Sequence, residues 1–356
     1  MTWLRTYGWN AHFEKAFEAL GSADLEPGRI IEEQRGMYRI MAGAGEIRAA
    51  IAGRLRLLDP GDQPAVGDWV AIQADPGAGG IIIRQVLDRQ SKISRKGAGS
   101  AVREQVLAAN LDTVFMVTSC NEDFNPRRIE RYLTMIWESG ASPVVLLNKT
   151  DLAGDSQELV ELAEAVTLGV PVHAVSAKRD TGLDSLTPYL QPGKTLALLG
   201  SSGVGKSTIL NRLLGQEVQA VQEVRGDDAR GRHTTRSRQL FLLPSGALVL
   251  DTPGLREVAL WVSDSGLGRA FADIGQLAAD CRFQDCVHRS EPDCAVIAAV
   301  EGGALSPARL ESYHTLRKEL EQLKRKADPA AQANSKQRWK TIHKSLRGGR
   351  KKGWFR

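Results

Sequence analysis

Residues 200–207 read Gly200-Ser201-Ser202-Gly203-Val204-Gly205-Lys206-Ser207, after the apolar run 196–199 and before the helical run 209–214. A strand, a GxxxxGKS loop and a helix in that order are the setting in which this spacing holds phosphates. The glycines let the backbone N–H groups of the loop turn inward at a helix N-terminus, where the dipole favours an anion. Lys206 can then reach the β and γ oxygens, Ser207 can ligate magnesium, and Thr208 stands in the same turn. Outward from this loop, between about 110 and 262, apolar runs at 113–118, 143–147, 170–175, 195–199, 239–243 and 247–250 alternate with helical patterns. That alternation predicts a mostly parallel sheet covered on both faces.

The base follows from Asn148-Lys149-Thr150-Asp151, which leaves the apolar run 144–147. A carboxylate at Asp151 accepts from both N1–H and the exocyclic amine of guanine, a pair that adenine does not offer. The Asn148 amide can reach the base's other edge, and the Lys149 stem can cover its face. Such paired contacts discriminate because the wrong base leaves polar groups unpaired. Ser176-Ala177-Lys178 ends a second short strand, where a backbone N–H can reach the guanine O6. The substrate is therefore read as GTP. Asp251-Thr252-Pro253-Gly254 leaves the run 247–250, with Asp251 a candidate magnesium ligand and the Gly254 N–H a γ-phosphate contact. Between them lies Gly231-Arg232-His233-Thr234-Thr235, in which either Thr234 or Thr235 can complete the magnesium shell. Leu255 stands where many GTPases carry a glutamine that orients the attacking water, so slow intrinsic hydrolysis is expected. His233 is the candidate catalytic group in its place; contact with RNA or simple packing are its alternatives.

Upstream, short β-rich runs at 37–41, 47–58, 68–73 and 80–87 are separated by Pro60-Gly61-Asp62 and Pro76-Gly77. They predict a five-stranded barrel of the oligonucleotide-binding type, with Arg48, Arg54, Arg56 and Arg84 available to a nucleic acid unless the barrel is only a spacer. Residues 1–34 read as a helical lead-in ended by the break Pro27-Gly28. Downstream, Cys281, Cys286, His288 and Cys294 fall within fourteen residues. Three thiolates and one imidazole close a tetrahedral zinc shell with no place for substrate water, so the ion would be structural; buried free thiols are the alternative. Cys120 reads as a core thiol. Ser306-Pro307 opens a helix whose Tyr313, Leu316, Leu320 and Leu323 form a packing stripe.

The 356 residues, 42% hydrophobic and 25% charged, exclude a wholly disordered or collagenous chain. No apolar run reaches the roughly 18 residues of a bilayer span, and the start Met1-Thr2-Trp3-Leu4-Arg5 lacks a secretory core, so a cytoplasmic protein is expected. From Arg317 to Arg356 there are 14 Lys/Arg against 3 acids, a net of +11 in a chain whose total is +5. Those cations are interleaved with Trp339, Trp354 and Phe355, which suits phosphates with exposed bases better than a merely solubilising tail.

Common GTPases run phosphate loop, switch threonine, DxxG, NKxD, SAK. Here Asn148–Asp151 and Ser176–Lys178 come first, then residues 200–207, then Thr234/Thr235, then Asp251–Gly254, which is a circular permutation. Together with Gly231-Arg232-His233-Thr234-Thr235, Asp251-Thr252-Pro253-Gly254-Leu255-Arg256-Glu257 and the Cys/His spacing, this order resembles the ribosome small-subunit-dependent GTPase A family from about Gly36 onward. The resemblance implies a late assembly factor of the small ribosomal subunit, with docking on the subunit stimulating hydrolysis and hydrolysis timing release. The expected layout is a lead-in (1–34), an OB-type barrel (35–94), a permuted α/β P-loop GTPase domain (95–262), a helical zinc-binding domain (263–328) and a basic tail (329–356). The expected cofactors are magnesium and one structural zinc. The expected partners are the small subunit and its rRNA, with no membrane and a monomeric state. The rival function is a nucleotide-gated rRNA-binding module in which hydrolysis is incidental. Opening the domain after DxxG also ties a γ-phosphate-sensitive loop directly to the metal module, so the two nucleotide states are expected to present that module differently.

Overall fold

A computed structural model describes residues 2–34, 36–75, 79–96, 104–121, 124–153, 156–217, 238–251 and 264–327. His233, Thr234, Thr235, Gly254, Leu255 and the tail 329–356 lie outside the described residues. In chain order the elements are α1 (Thr2–Thr6), α2 (Ala11–Glu18), β1 (Glu26–Gln34), β2 (Met37–Ala42), β3 (Gly45–Ile51), α3 (Gly53–Arg56), β4 (Trp69–Ala74), β5 (Ile81–Val86), β6 (Lys92–Lys96) and β7 (Glu104–Ala109). Then come β8 (Thr113–Ser119), α4 (Pro126–Ser139), β9 (Ser142–Asn148), α5 (Ser156–Thr167), β10 (Val172–Ala174), β11 (Thr195–Leu199), α6 (Lys206–Leu214), β12 (Arg238–Leu242) and β13 (Leu248–Asp251). The last four are α7 (Asp264–Ala270), α8 (Ala272–Ala278), α9 (Ala295–Glu301) and α10 (Pro307–Ala327).

The barrel is closed by five strands in the order β1-β2-β3-β5-β4, with β4 returning to β1. Its first strand corrects the sequence reading, which set residues 1–34 apart because Pro27-Gly28 resembled a break. Pro27 instead sits one residue inside the strand start, where a missing donor is tolerated. A Cβ at Gly28 would lie 2.5 Å from Ile40 Cγ2, so the glycine permits close packing against the neighbouring strand β2. The barrel boundary expected at residue 94 also falls within β6, which forms a separate two-stranded hairpin with β7. The lead-in helices fold back onto the barrel: Trp9 and Phe13 meet the fully buried Trp69 at ring separations of 4.7 and 5.9 Å.

The second half of the sheet runs β10-β9-β8-β11-β13 in parallel, then β12 antiparallel, and continues into the barrel through the β12–β1 pairing. Along β8, Phe115 and Val117 pack on one face with Ile209 and Leu210 of α6, while Val114 and Met116 pack on the other with Ile129 and Leu133 of α4. Both faces are therefore covered, as the uninterrupted apolar strands predict. Asn125 caps α4 by accepting from Arg128 N, Pro126 takes its first position, and Gly140 ends it at φ 85°.

Arg29 of β1 joins the two halves. Its buried guanidinium donates to Tyr7 O, to Asn110 O at 3.2 Å and to Thr195 Oγ1 at 3.1 Å, and it lies 5.3 Å from the Trp69 ring centre. Burial pushes its pKa down to about 10, which leaves it charged at neutral pH.

Candidate nucleotide site and metal centre

Strand β11 is buried along its whole length and delivers the phosphate loop at the carboxyl edge of the sheet. Two of the loop's glycines are sterically required. At Gly200, with φ +147°, a Cβ would lie 2.1 Å from Val117 O; at Gly205, with φ +98°, it would lie 2.2 Å from Asn148 Nδ2. The Lys206 ammonium curls back over the loop, donating to Gly200 O at 2.7 Å and to Ser201 O. That places a cation over the cradle, on carbonyls it can exchange for phosphate oxygens. Ser207 and Thr208 follow in the first turn of α6. Asp251 closes β13, which lies beside β11 with Leu250 opposite Ala197, so its carboxylate leaves the sheet next to the loop.

Asn148 ends β9, and its amide bridges two loops. Nδ2 donates to Val204 O at 2.8 Å and Oδ1 accepts from Ala177 N at 3.0 Å, in a side chain that is 2% exposed. One buried amide thus pins the phosphate loop and the Ser176–Lys178 loop to the end of the strand. It also occupies the Ala177 N–H, one of the donors available to a guanine O6 in that loop. Lys149 leaves the strand through the left-handed region at φ 65°, which turns the chain toward Asp151. The Asp151 carboxylate accepts from Ser176 Oγ at 2.6 Å, and this bond holds its pKa below the usual carboxylate range. It is therefore anionic and oriented. Arg212 of α6 was not singled out in the sequence. It donates to Ala177 O at 3.0 Å and Lys178 O at 3.2 Å, holding the same loop to the phosphate-loop helix.

The four metal-ligand candidates converge, with all donor atoms within 4.8 Å of one another. The separations are 3.8 Å for Cys281 Sγ to Cys294 Sγ, 3.6 Å for Cys281 Sγ to His288 Nδ1 and 3.5 Å for Cys294 Sγ to His288 Nδ1. A tetrahedron with zinc–sulfur bonds of roughly 2.3 Å has sulfur–sulfur edges of about 3.8 Å, so the donor set fits zinc in size and chemistry. His288 presents Nδ1 from a backbone at φ 59°, and Glu291 builds the turn that carries it. The Glu291 carboxylate accepts from Val287 N, Arg289 N and Ser290 N at 2.9, 2.8 and 3.0 Å, and these bonds hold its pKa down to about 2. We expect Glu291→Ala to speed zinc loss to a competing chelator by about tenfold, the usual cost of disturbing the support of a metal ligand. Equal release rates from the variant and the parent would remove Glu291 from this role.

Cys120 is 2% exposed, and burial pushes its thiol up to about 11, as suits a core residue. A groove of about 820 Å³ between the barrel and the start of β6 is a separate feature; of its cations Arg54, Arg84, Arg89 and Lys92, the last two are paired with Asp68 and Glu104, while Arg54 donates to Arg84 O and Arg84 to Gln73 Oε1.

Two family models match the chain: RsgA GTPase over residues 86–261 and 50S ribosome-binding GTPase over residues 195–328. A protein of Methanosarcina acetivorans named "Small ribosomal subunit biogenesis GTPase RsgA" is 46% identical over 344 residues, 97% of this chain and 92% of its own. The crystal structure of YjeQ from Thermotoga maritima is similar at a TM-score of 0.62 and 28% identity, over 83% of this chain and 98% of that one. YloQ, described as a circularly permuted GTPase, shares the fold at a TM-score of 0.60 and 24% identity, over 84% of this chain and 96% of its own.

Proposed function

The chain belongs to the RsgA GTPase family, and from that premise we propose that it is a GTPase of small ribosomal subunit biogenesis, stimulated by the subunit and released after hydrolysis. The observation that carries this reading is the Asn148 amide, which ties the guanine-type loop, the Ser176–Lys178 loop and the phosphate loop into one unit. In this reading the N–H groups of residues 200–205, with Lys206, bind the phosphates and Asp151 reads the base. Asn148 and Ser176 hold the base-reading loops in place. Ser207, Asp251 and either Thr234 or Thr235 would hold magnesium, which neutralises charge on the β and γ oxygens. Gly254 senses the γ-phosphate and His233 orients the attacking water, a task that Leu255 cannot perform. Cys281, Cys286, His288 and Cys294 would hold one zinc ion as a rigid brace.

The barrel and the tail 329–356 supply contacts to rRNA through counterion release and ring stacking. The protein works as a monomer in the cytoplasm; among the described residues no helix is long and apolar enough to cross a membrane.

Phosphate release from GTP and from ATP, with and without small ribosomal subunits at physiological salt, tests the reading. The expected result is turnover of GTP alone, feeble without subunits and raised by orders of magnitude with them. Guanine-nucleotide binding without stimulation would overturn the subunit-coupled enzyme. Equal subunit release with GTP and a non-hydrolysable analogue would favour the nucleotide-gated binding module instead.

A further inference from the structure

Helix α4 begins directly above the phosphate loop, and one of its first-turn residues reaches into that loop. β8 runs parallel to β11 with Met116 opposite Leu199, and the next residue of β8 contributes the carbonyl against which Gly200 packs. The chain then enters α4, where Arg128 N is fixed to the Asn125 cap and Arg128 Nη1 donates to Ser201 Oγ at 2.9 Å. The turn is anchored on its other sides as well. Glu130 Oε1 accepts from Arg309 at 2.8 Å, and Arg131 Nη1 donates to Glu319 at 3.0 Å. The Arg128 guanidinium is therefore carried on a turn that is tied to α10 at two further points.

Ser201 is gripped twice, at its hydroxyl by Arg128 and at its carbonyl by the Lys206 ammonium. These grips differ in kind. An ammonium has three donors and two of them are on the loop carbonyls, so meeting both the β and the γ oxygens with a full bond each requires Lys206 to release one carbonyl. The bond from Arg128 goes to a side chain that the phosphates do not need. It is also a charge-assisted bond, stronger than a neutral one. The GxxxxGKS pattern leaves position 201 open to any residue, so the loop motif itself does not call for this pair.

We propose that Arg128 is a positioning residue for the phosphate loop, holding Ser201, and with it the anion cradle, in shape once Lys206 turns to the nucleotide. This rests on the reading of residues 200–207 as the nucleotide site. Because the cradle serves phosphates common to both nucleotides, the effect falls on GDP and GTP alike. Because Arg128 bonds the loop and not the reacting atoms, kcat at saturating GTP is spared.

The test is fluorescent GDP and GTP-analogue binding, with steady-state kinetics, for Arg128→Ala, Arg128→Lys, Ser201→Ala and the double variant R128A/S201A. Arg128→Ala is expected to weaken both nucleotides about tenfold, the cost of one hydrogen bond to a charged group. KM should rise in step while kcat stays within about twofold. Ser201→Ala should give a similar loss, the double variant no more than either single one, and Arg128→Lys a partial rescue. Unchanged affinity in Arg128→Ala, losses that multiply in the double variant, or a fall in kcat with affinity intact would each overturn the proposal while leaving the nucleotide site standing. A parent chain that binds no guanine nucleotide would overturn the site and the proposal together.

Discussion

Asp151→Asn is expected to lower affinity for GDP and GTP by about a hundredfold or more and to raise affinity for the xanthine nucleotides. The carboxylate offers two acceptors, one held in place by Ser176 Oγ at 2.6 Å. Guanine presents two donors side by side, N1–H and the exocyclic amine. An asparagine amide turns one of those acceptors into a donor, so a donor faces a donor and both lose their partner. Sites built on such paired hydrogen bonds reject the unmatched ligand by two to five orders of magnitude, roughly. Xanthine carries a carbonyl where guanine carries the amine, which matches the new donor. Competition binding with GDP and XDP reads both effects, and an unchanged preference would show that Asp151 does not read the base. The pH dependence has a defined sign. The Ser176 bond depresses the Asp151 pKa, so the anion persists below the ordinary carboxylate range, and base recognition is lost only as pH falls through that depressed value.

The elements that sequence could supply are those whose cause is local. The strand-loop-helix around residues 200–207, the turn after β9 and the Cys/His spacing each declare themselves within a few residues, and their permuted order survives in the sheet as β8 and β9 preceding β11. Strand β1 was hidden because Pro27-Gly28 has two readings, a chain break or a crowded strand start. Only the position of Ile40 on the paired strand β2 decides between them. The hairpin of β6 and β7 is cut by the boundary expected at residue 94, since two short strands joined by a Gly-rich stretch have no long periodicity to set them apart. Asn148 declares itself as a base-contact candidate within its own motif, but its bridging of two loops carries no local signal, because its partners Val204 and Ala177 lie 56 and 29 residues away. Arg128 and Arg212 carry no local signal at all: an arginine on a helix is ordinary until its acceptor, 73 residues on for Arg128 and 35 residues back for Arg212, is brought beside it. Charged side chains that organise a site through tertiary contacts are thus the class that pattern alone leaves unread.

Arg309→Met should cost about 3–5 kcal/mol of stability, concentrated in the contact between the metal module and the GTPase domain. Arg309 is 5% exposed on α10 and donates to Glu130 on α4 at 2.8 Å, to Asp273 on α8 at 2.5 and 2.9 Å, to Ala270 O at 2.9 Å and to Val166 O, at the end of α5, at 3.2 Å. Its guanidinium also stands 4.7 Å from the Phe271 ring centre. Methionine keeps much of the stem volume but removes the charge, and Glu130, only 2% exposed and with no hydrogen-bond partner for Oε2 among the described residues, becomes a buried anion without compensation. Breaking such a pair on one side is the costly operation, whereas removing both charges often is not. Glu130→Gln added to Arg309→Met should therefore recover a good part of the loss, a coupling that a simple packing defect would not show. Urea unfolding combined with limited proteolysis between the two modules measures it. A loss below about 1 kcal/mol, or a double variant as unstable as the sum of its singles, would mean that α10 is held to α4 by its apolar stripe and not by this arginine.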